Sequence, residues 1–177
     1  IKQKKRCEIP DYIRLDTLFL DFQEEYIVPI KYMQLKKLIV VGKCLPVDGY
    51  IVPSTFTQLT FLRISTDGSI LLSDKHTNLT SLAIHGNAWY RDSHVIEVPD
   101  TYTKLNYLQI YSSDSKDIIL SEKFANLESI DIFDQIDKRD KARNLRIPDS
   151  YQKLRHLRLN SLCKLLVPQR LSKLASL

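Results

Sequence analysis

The sequence predicts an α/β repeat solenoid: one domain of about eight short units stacked along a single axis. Three observations predict it. One apolar phrase recurs along the chain with fixed internal spacing. The leucine that opens the strand-like part of each phrase recurs every 20 to 27 residues. A further apolar column stands at the same offset before every copy. Self-similarity at such a period marks units that cannot bury their apolar side alone and gain a continuous interior by stacking.

The phrase reads Val28-Pro29-x-x-Tyr32-x-x-Leu35-x-x-Leu38-x-Val40. It returns as Val52-Pro53-x-x-Phe56-x-x-Leu59-x-x-Leu62-x-Ile64, and as Val98-Pro99-x-x-Tyr102-x-x-Leu105-x-x-Leu108-x-Ile110. It returns again as Ile147-Pro148-x-x-Tyr151-x-x-Leu154-x-x-Leu157-x-Leu159. Ile9-Pro10 to Leu20 is a copy one residue shorter, and Val167-Pro168-x-x-Leu171-x-x-Leu174 is the last. Two copies carry Ser in place of Pro: Leu72-Ser73-Asp74-Lys75-His76-Thr77-Asn78-Leu79 and Leu120-Ser121-Glu122-Lys123-Phe124-Ala125-Asn126-Leu127. The opening leucines fall at 15, 35, 59, 79, 105, 127, 154 and 174. Three residues before each Pro or Ser stand Cys7, Tyr26, Tyr50, Ile70, Ile96, Ile118, Leu145 and Leu165. An unbroken apolar column in a chain 44% hydrophobic is a core pattern, not chance.

The pattern L-x-x-L-x-[IL] followed by [IV]-P-x-x-[FY]-x-x-L resembles the leucine-rich repeat family, from about Cys7 to Leu177. The resemblance implies a horseshoe or arc with a parallel β-sheet on its concave face. The chain departs from the family where Asn or Cys normally follows the last strand leucine by three residues. Gln23, Lys43, Asp67, Asn87, Ser113, Gln135 and Leu162 stand there, and only Asn87 matches, which implies irregular turns.

Within each unit the alternating leucines share one face of a strand, as a side-chain period of two requires. Pro fixes the start of the return segment. The aromatic column of Tyr32, Phe56, Tyr102, Phe124 and Tyr151, with variants His76 and Leu171, reads as core. Its spacing suits short helical or 3₁₀ turns, or irregular segments, on the convex side.

Function is expected on the outward strand positions, which form three columns. The first holds Thr17, Lys37, Phe61, Ser81, Tyr107, Ser129, His156 and Ser176. The second holds Phe19, Ile39, Arg63, Ala83, Gln109, Asp131 and Arg158, and the third Asp21, Val41, Ser65, His85, Tyr111, Phe133 and Asn160. From Phe61 the first column alternates large and small. Descent from a duplicated two-unit block explains this, and so does a ridge of aromatic anchors with gaps for partner side chains. The candidate partner-binding set is Phe19, Lys37, Phe61, Arg63, His85, Tyr107, Gln109, Tyr111, Asp131, Phe133, His156 and Arg158. The longest units add two inserts, one containing Trp89 beside Tyr90, which reads as a local anchor, and one, Phe133 to Asn144, that reads as a solvated loop.

No catalytic or phosphate-binding fingerprint occurs, and His76, His85, His94 and His156 lack metal-ligand spacing. No cofactor, metal or enzymatic activity is therefore expected in this chain. The net charge is +5, with a basic opening at Lys2 to Arg6 and a run from Lys138 to Arg146 interrupted by acids, which favours solvated faces over a nucleic-acid patch. No apolar stretch is long enough to span a membrane. The odd, scattered Cys7, Cys44 and Cys163 suit reduced thiols and a cytoplasmic setting. Asn78-Leu79-Thr80 is a glycosylation sequon explained by repeat descent. The chain lacks an initiator Met and ends within a unit without a cap, so a longer parent is expected. The leading expectation is a protein-interaction scaffold. The alternative is the recognition arm of a larger ligase or kinase whose catalytic domain lies elsewhere. A third reading is an anionic-ligand binder using Lys37, Arg63 and Arg158.

Overall fold

The computed structural model describes residues 15–22, 32–42, 50–66, 70–86, 98–112, 120–134, 144–160, 164–166 and 174–175. Eleven strands occur in chain order: β1 Thr17–Phe22, β2 Lys37–Gly42, β3 Tyr50–Ile51, β4 Phe61–Thr66, β5 Ile70–Leu71, β6 Ser81–Gly86, β7 Tyr107–Ser112, β8 Ser129–Asp134, β9 Asn144–Arg146, β10 His156–Asn160 and β11 Lys164–Leu166. β1, β2, β4, β6, β7, β8 and β10 form one parallel sheet in that order, one strand from each stacked coil. β3 pairs with β5, and β9 with β11, as short parallel ladders on a second side. The chain is a parallel β-solenoid.

The strand leucines drive this arrangement. Register joins Leu18, Leu38, Leu62, Leu82, Leu108, Ile130 and Leu157 in one inward row. The next inward row is Leu20, Val40, Ile64, Ile84, Ile110, Ile132 and Leu159. Most of these side chains are fully buried, and each buried aliphatic contributes about 1.5–3 kcal/mol. A slip of one residue in any strand would put both rows into solvent, so the register is strongly fixed. The apolar column before Pro or Ser gains its reason here as well. Tyr50, Ile70, Leu145 and Leu165 sit in the short ladders, and Ile70 and Leu145 are buried beneath them.

The return segments follow the irregular alternative of the expectation and not the helical or 3₁₀ one. Among the described residues no helix occurs. Each fully described return is a pair of consecutive turns that share the aromatic. In one coil Phe56 N–H donates to Pro53 O at 3.1 Å, and Leu59 N–H donates to Phe56 O at 3.1 Å. The same pair occurs at Pro99–Tyr102–Leu105, Ser121–Phe124–Leu127 and Pro148–Tyr151–Leu154. A helix would continue with the next amide bonding back into its own turn. Here that amide is taken by the neighbouring coil: Thr60 and Phe61 both donate to Lys36 O, at 2.8 and 3.1 Å. Equivalent forks link Thr80 and Ser81 to Thr60 O, Asn106 and Tyr107 to Thr80 O, and Arg155 and His156 to Glu128 O. Stacking thus competes with helix propagation and wins at every described coil.

Ser replaces Pro without changing the turn. The Ser73 hydroxyl accepts Lys75 N–H at 3.2 Å, and the Ser121 hydroxyl accepts Lys123 N–H at 3.3 Å. A side-chain cap therefore supplies the order that the proline ring supplies elsewhere. The two unit types also interlock. Asn78 donates to Thr57 O at 3.0 Å and accepts Lys104 at 2.6 Å. Asn126 repeats this with Thr103 O at 2.7 Å and Lys153 at 2.6 Å. The Asn of the glycosylation sequon is thus an inter-coil clip.

Buried polar groups in the aromatic column are paired across coils. Tyr102 Oη donates to Ser73 O, and Tyr151 Oη to Ser121 O, both at 2.8 Å. Burial raises both phenols well above the ordinary tyrosine range. His76 is wholly buried, with Nε2 3.0 Å from Pro53 O. A carbonyl accepts only, so Nε2 carries the proton. Burial holds the His76 imidazole below its ordinary pKa, against the raising effects of that hydrogen bond and of Asp74.

Candidate functional face

All twelve candidate residues lie on the outward face of the seven-stranded sheet, and none is in the buried core. Register aligns the first column as Thr17, Lys37, Phe61, Ser81, Tyr107, Ser129 and His156. It aligns the second as Phe19, Ile39, Arg63, Ala83, Gln109, Asp131 and Arg158. The third runs Asp21, Val41, Ser65, His85, Tyr111, Phe133 and Asn160. Adjacent members of a column are about 4.8 Å apart because they occupy adjacent strands.

The face is not a uniform ridge. In the third column His85, Tyr111 and Phe133 form a continuous tilted stack, with ring centroids 5.8 and 6.4 Å apart. These separations lie in the favourable range for offset aromatic pairs. The first column is different, because its large members are engaged by side chains of their own face. The Lys37 ammonium sits 4.7 Å from the centre of the Phe61 ring. Tyr107 Oη donates to Asp131 Oδ2 at 3.0 Å. Burial, that hydrogen bond and the Asp131 charge push the Tyr107 phenol up to about 12, against the charges of Arg158 and Arg63. Tyr107 is thus a fixed neutral donor and not a titrating group.

His85 Nε2 lies 2.9 Å from Gln109 Oε1, which as an amide oxygen accepts, so His85 Nε2 donates. Burial lowers the His85 pKa most; the Gln109 bond raises it, and the Arg63 charge lowers it further. His85 and Gln109 therefore brace one another at the head of the aromatic stack. His156 and Arg158 stand exposed on β10, and Phe19 on β1 is 60% exposed. Phe19 lies far from the stack and shares its end of the sheet with Ile39 and Val41, which are partly exposed.

The set therefore divides. His85, Gln109, Tyr111, Phe133, Tyr107, Asp131 and Arg63 come together on β4 to β8, and Phe19 stays apart. The sequence columns placed Ser81 and Ala83 on this face, with Ser81 among the gaps between large residues, and left both out of the candidate set; they lie on β6 between the longer side chains of β4 and β7. Ala83 is only 4% exposed although it faces outward, so its neighbours close over it. Alternation of large and small residues was the available signal.

Among the described residues no cluster of three or more His, Cys, Asp or Glu side chains is placed to hold a metal ion. Among them no helix is long and apolar enough to cross a membrane. The Trp89 insert, the Lys138 to Arg146 run up to Arg143, His94, Ser176 and all three cysteines lie outside the described residues. No family model matches the chain, and no curated protein matches it in sequence.

Proposed function

We propose that this chain is a protein-interaction scaffold that recognises a partner protein through the outward strand face. The observation that supports this reading is the half-exposed stack of His85, Tyr111 and Phe133, braced by Gln109 and carried on a rigid in-register sheet. Aromatic side chains held in place give contact area at small entropic cost, and Tyr and Arg are the types enriched at binding hot spots.

The repeat is of the leucine-rich type, with tandem turns taking the place of convex helices. Coils in this scaffold are hydrogen-bonded on the strand side and again on the turn side, through Asn78, Tyr102, Asn126 and Tyr151. Hydrogen bonding on both sides supports an arc with the sheet on its concave face.

Affinity capture tests the reading. The wild-type chain, a Tyr111→Ala/Phe133→Ala double variant and a turn-side Lys75→Ala control are each immobilised, after circular dichroism shows equal folding. The expected result is a partner retained by wild type and control and lost from the double variant. A folded double variant that captures the same proteins as wild type overturns the proposal.

A further inference from the structure

Segment 73–78 joins three coils on the turn side. Towards the preceding coil, His76 Nε2–H donates to Pro53 O and the Asn78 amide donates to Thr57 O, both at 3.0 Å. Towards the following coil, Ser73 O accepts Tyr102 Oη and Asp74 O accepts Thr101 Oγ1, both at 2.8 Å, while Asn78 Oδ1 accepts Lys104 at 2.6 Å. A second copy of this joint exists in the chain. Apart from the imidazole bond, segment 121–126 makes the same contacts, with Thr103, Ser150, Tyr151 and Lys153. The two copies differ at the centre, where His76 is wholly buried in one and Phe124 is buried in the other. One joint therefore has a titratable group at its centre and the other does not.

The geometry accommodates a second proton on His76 badly. Nδ1 faces Tyr102 Oη at 3.4 Å, and the proton of that hydroxyl is given to Ser73 O. An added Nδ1–H would meet the hydroxyl oxygen beyond ordinary hydrogen-bond length. The preceding coil offers the Pro53 carbonyl and the following coil the Tyr102 phenol, both neutral. The charge that acts on the imidazole is Asp74 of its own segment, which is exposed and 3.7 Å from Lys75. Asp100 on the following coil is paired with Lys123 at 3.0 Å, and Lys104 is held by Asn78. Among the described residues a buried imidazolium thus lacks a compensating partner, and burial outweighs Asp74 in holding the ring neutral. We propose that residues 73–78 form an acid-released joint: protonation of His76 frees this segment from the coils on either side while β6 stays in the sheet. Above about pH 6.5 the imidazole is neutral whether the joint is closed or open, so the closed form keeps its full advantage. Below that value the open segment takes up a proton that the closed one holds off, which favours opening by up to about tenfold per pH unit until the closed form itself protonates. β6 is held separately, by ladders to β4 and β7 and by the buried Leu82 and Ile84. The joint lies on the turn side, so its release is independent of what the strand face binds.

The test is native-state hydrogen exchange of the isotope-labelled full chain, read by NMR from about pH 7 to about pH 5 and corrected for the pH dependence of free amides. His76 N–H and Leu79 N–H, bonded to Ser73 O and His76 O, report the first joint; Phe124 N–H and Leu127 N–H, bonded to Ser121 O and Phe124 O, report the second. The expected result is a loss of protection of about fivefold or more at residues 76 and 79 as pH falls below about 6.5, with residues 124 and 127 and the β6 amides unchanged within about twofold. His76→Phe abolishes the loss, and Phe124→His confers it on the second joint. Unchanged protection in the wild type, equal loss at both joints, loss spread over β6, loss that persists in His76→Phe, or a folded Phe124→His variant without it each overturn the proposal. The comparison of wild type with His76→Phe decides the matter whether or not Phe124→His folds.

Discussion

Replacing Tyr102 or Tyr151 with Phe removes one hydroxyl from the turn side of the solenoid and leaves the ring, which is wholly buried in both cases. Each hydroxyl donates at 2.8 Å to the Ser carbonyl of the preceding coil. The two carbonyls differ in what remains. Ser121 O also accepts Phe124 N–H at 3.2 Å, so Tyr151→Phe leaves it with a good partner. Ser73 O accepts His76 N–H only at 3.4 Å, so Tyr102→Phe leaves it nearly orphaned. Losing one ordinary hydrogen bond costs about 0.5–1.5 kcal/mol, and stranding a buried acceptor raises this toward about 3 kcal/mol. Tyr151→Phe is therefore expected near about 1 kcal/mol and Tyr102→Phe near about 2 kcal/mol. Urea unfolding of the three proteins gives these values from the shift in midpoint at unchanged slope. The Tyr102 hydroxyl also lies 3.4 Å from His76 Nδ1, a partner Tyr151 lacks, so equal costs, or a larger cost at Tyr151, would refute the argument that the groups left without the hydroxyl set the magnitude.

Stability falls with acid below about pH 6.5, the ordinary histidine pKa, because His76 and His85 are held neutral in the folded chain and protonate first in the unfolded one. Depressed folded pKa values leave the full contribution present above that pH and remove it as pH falls; His76→Phe should flatten most of the slope in thermal melts between pH 5 and pH 7. Asn126→Ala breaks the clip to Thr103 O and Lys153 and costs about 1 kcal/mol, measured by urea unfolding, whereas Asn126→Asp keeps the lysine contact but loses the amide donor. Leu108→Ala opens the centre of the inward row and costs about 2–5 kcal/mol, with hydrogen exchange accelerating first in β6 and β8, the strands on either side. Tyr111→Ala, on the opposite face of the same strand, costs about 1–3 kcal/mol, because two tilted ring contacts are lost, as read by urea unfolding.

By itself the sequence determined which residues share a column. Equivalent positions in an in-register parallel stack are spatial neighbours, so aligning the copies is the same operation as building the sheet. The leucine rows around Leu38, Leu62 and Leu108 and all three outward columns followed from spacing alone. Tertiary structure decided what spacing leaves open. The three-residue step from Pro53 to Phe56 to Leu59 fits a helical turn as well as tandem turns, and the amide of Thr60, captured by the neighbouring coil, settles it. Tyr107 is tethered to Asp131 while Tyr111 stacks with its neighbours, a difference set by the length and charge of side chains one strand away. Asn78 and Asn126 became clips only because a lysine of the following coil reaches each of them. Column membership is a property of the repeat, which one sequence contains; lateral pairing depends on distances between different side chains, which exist only after the coils have stacked.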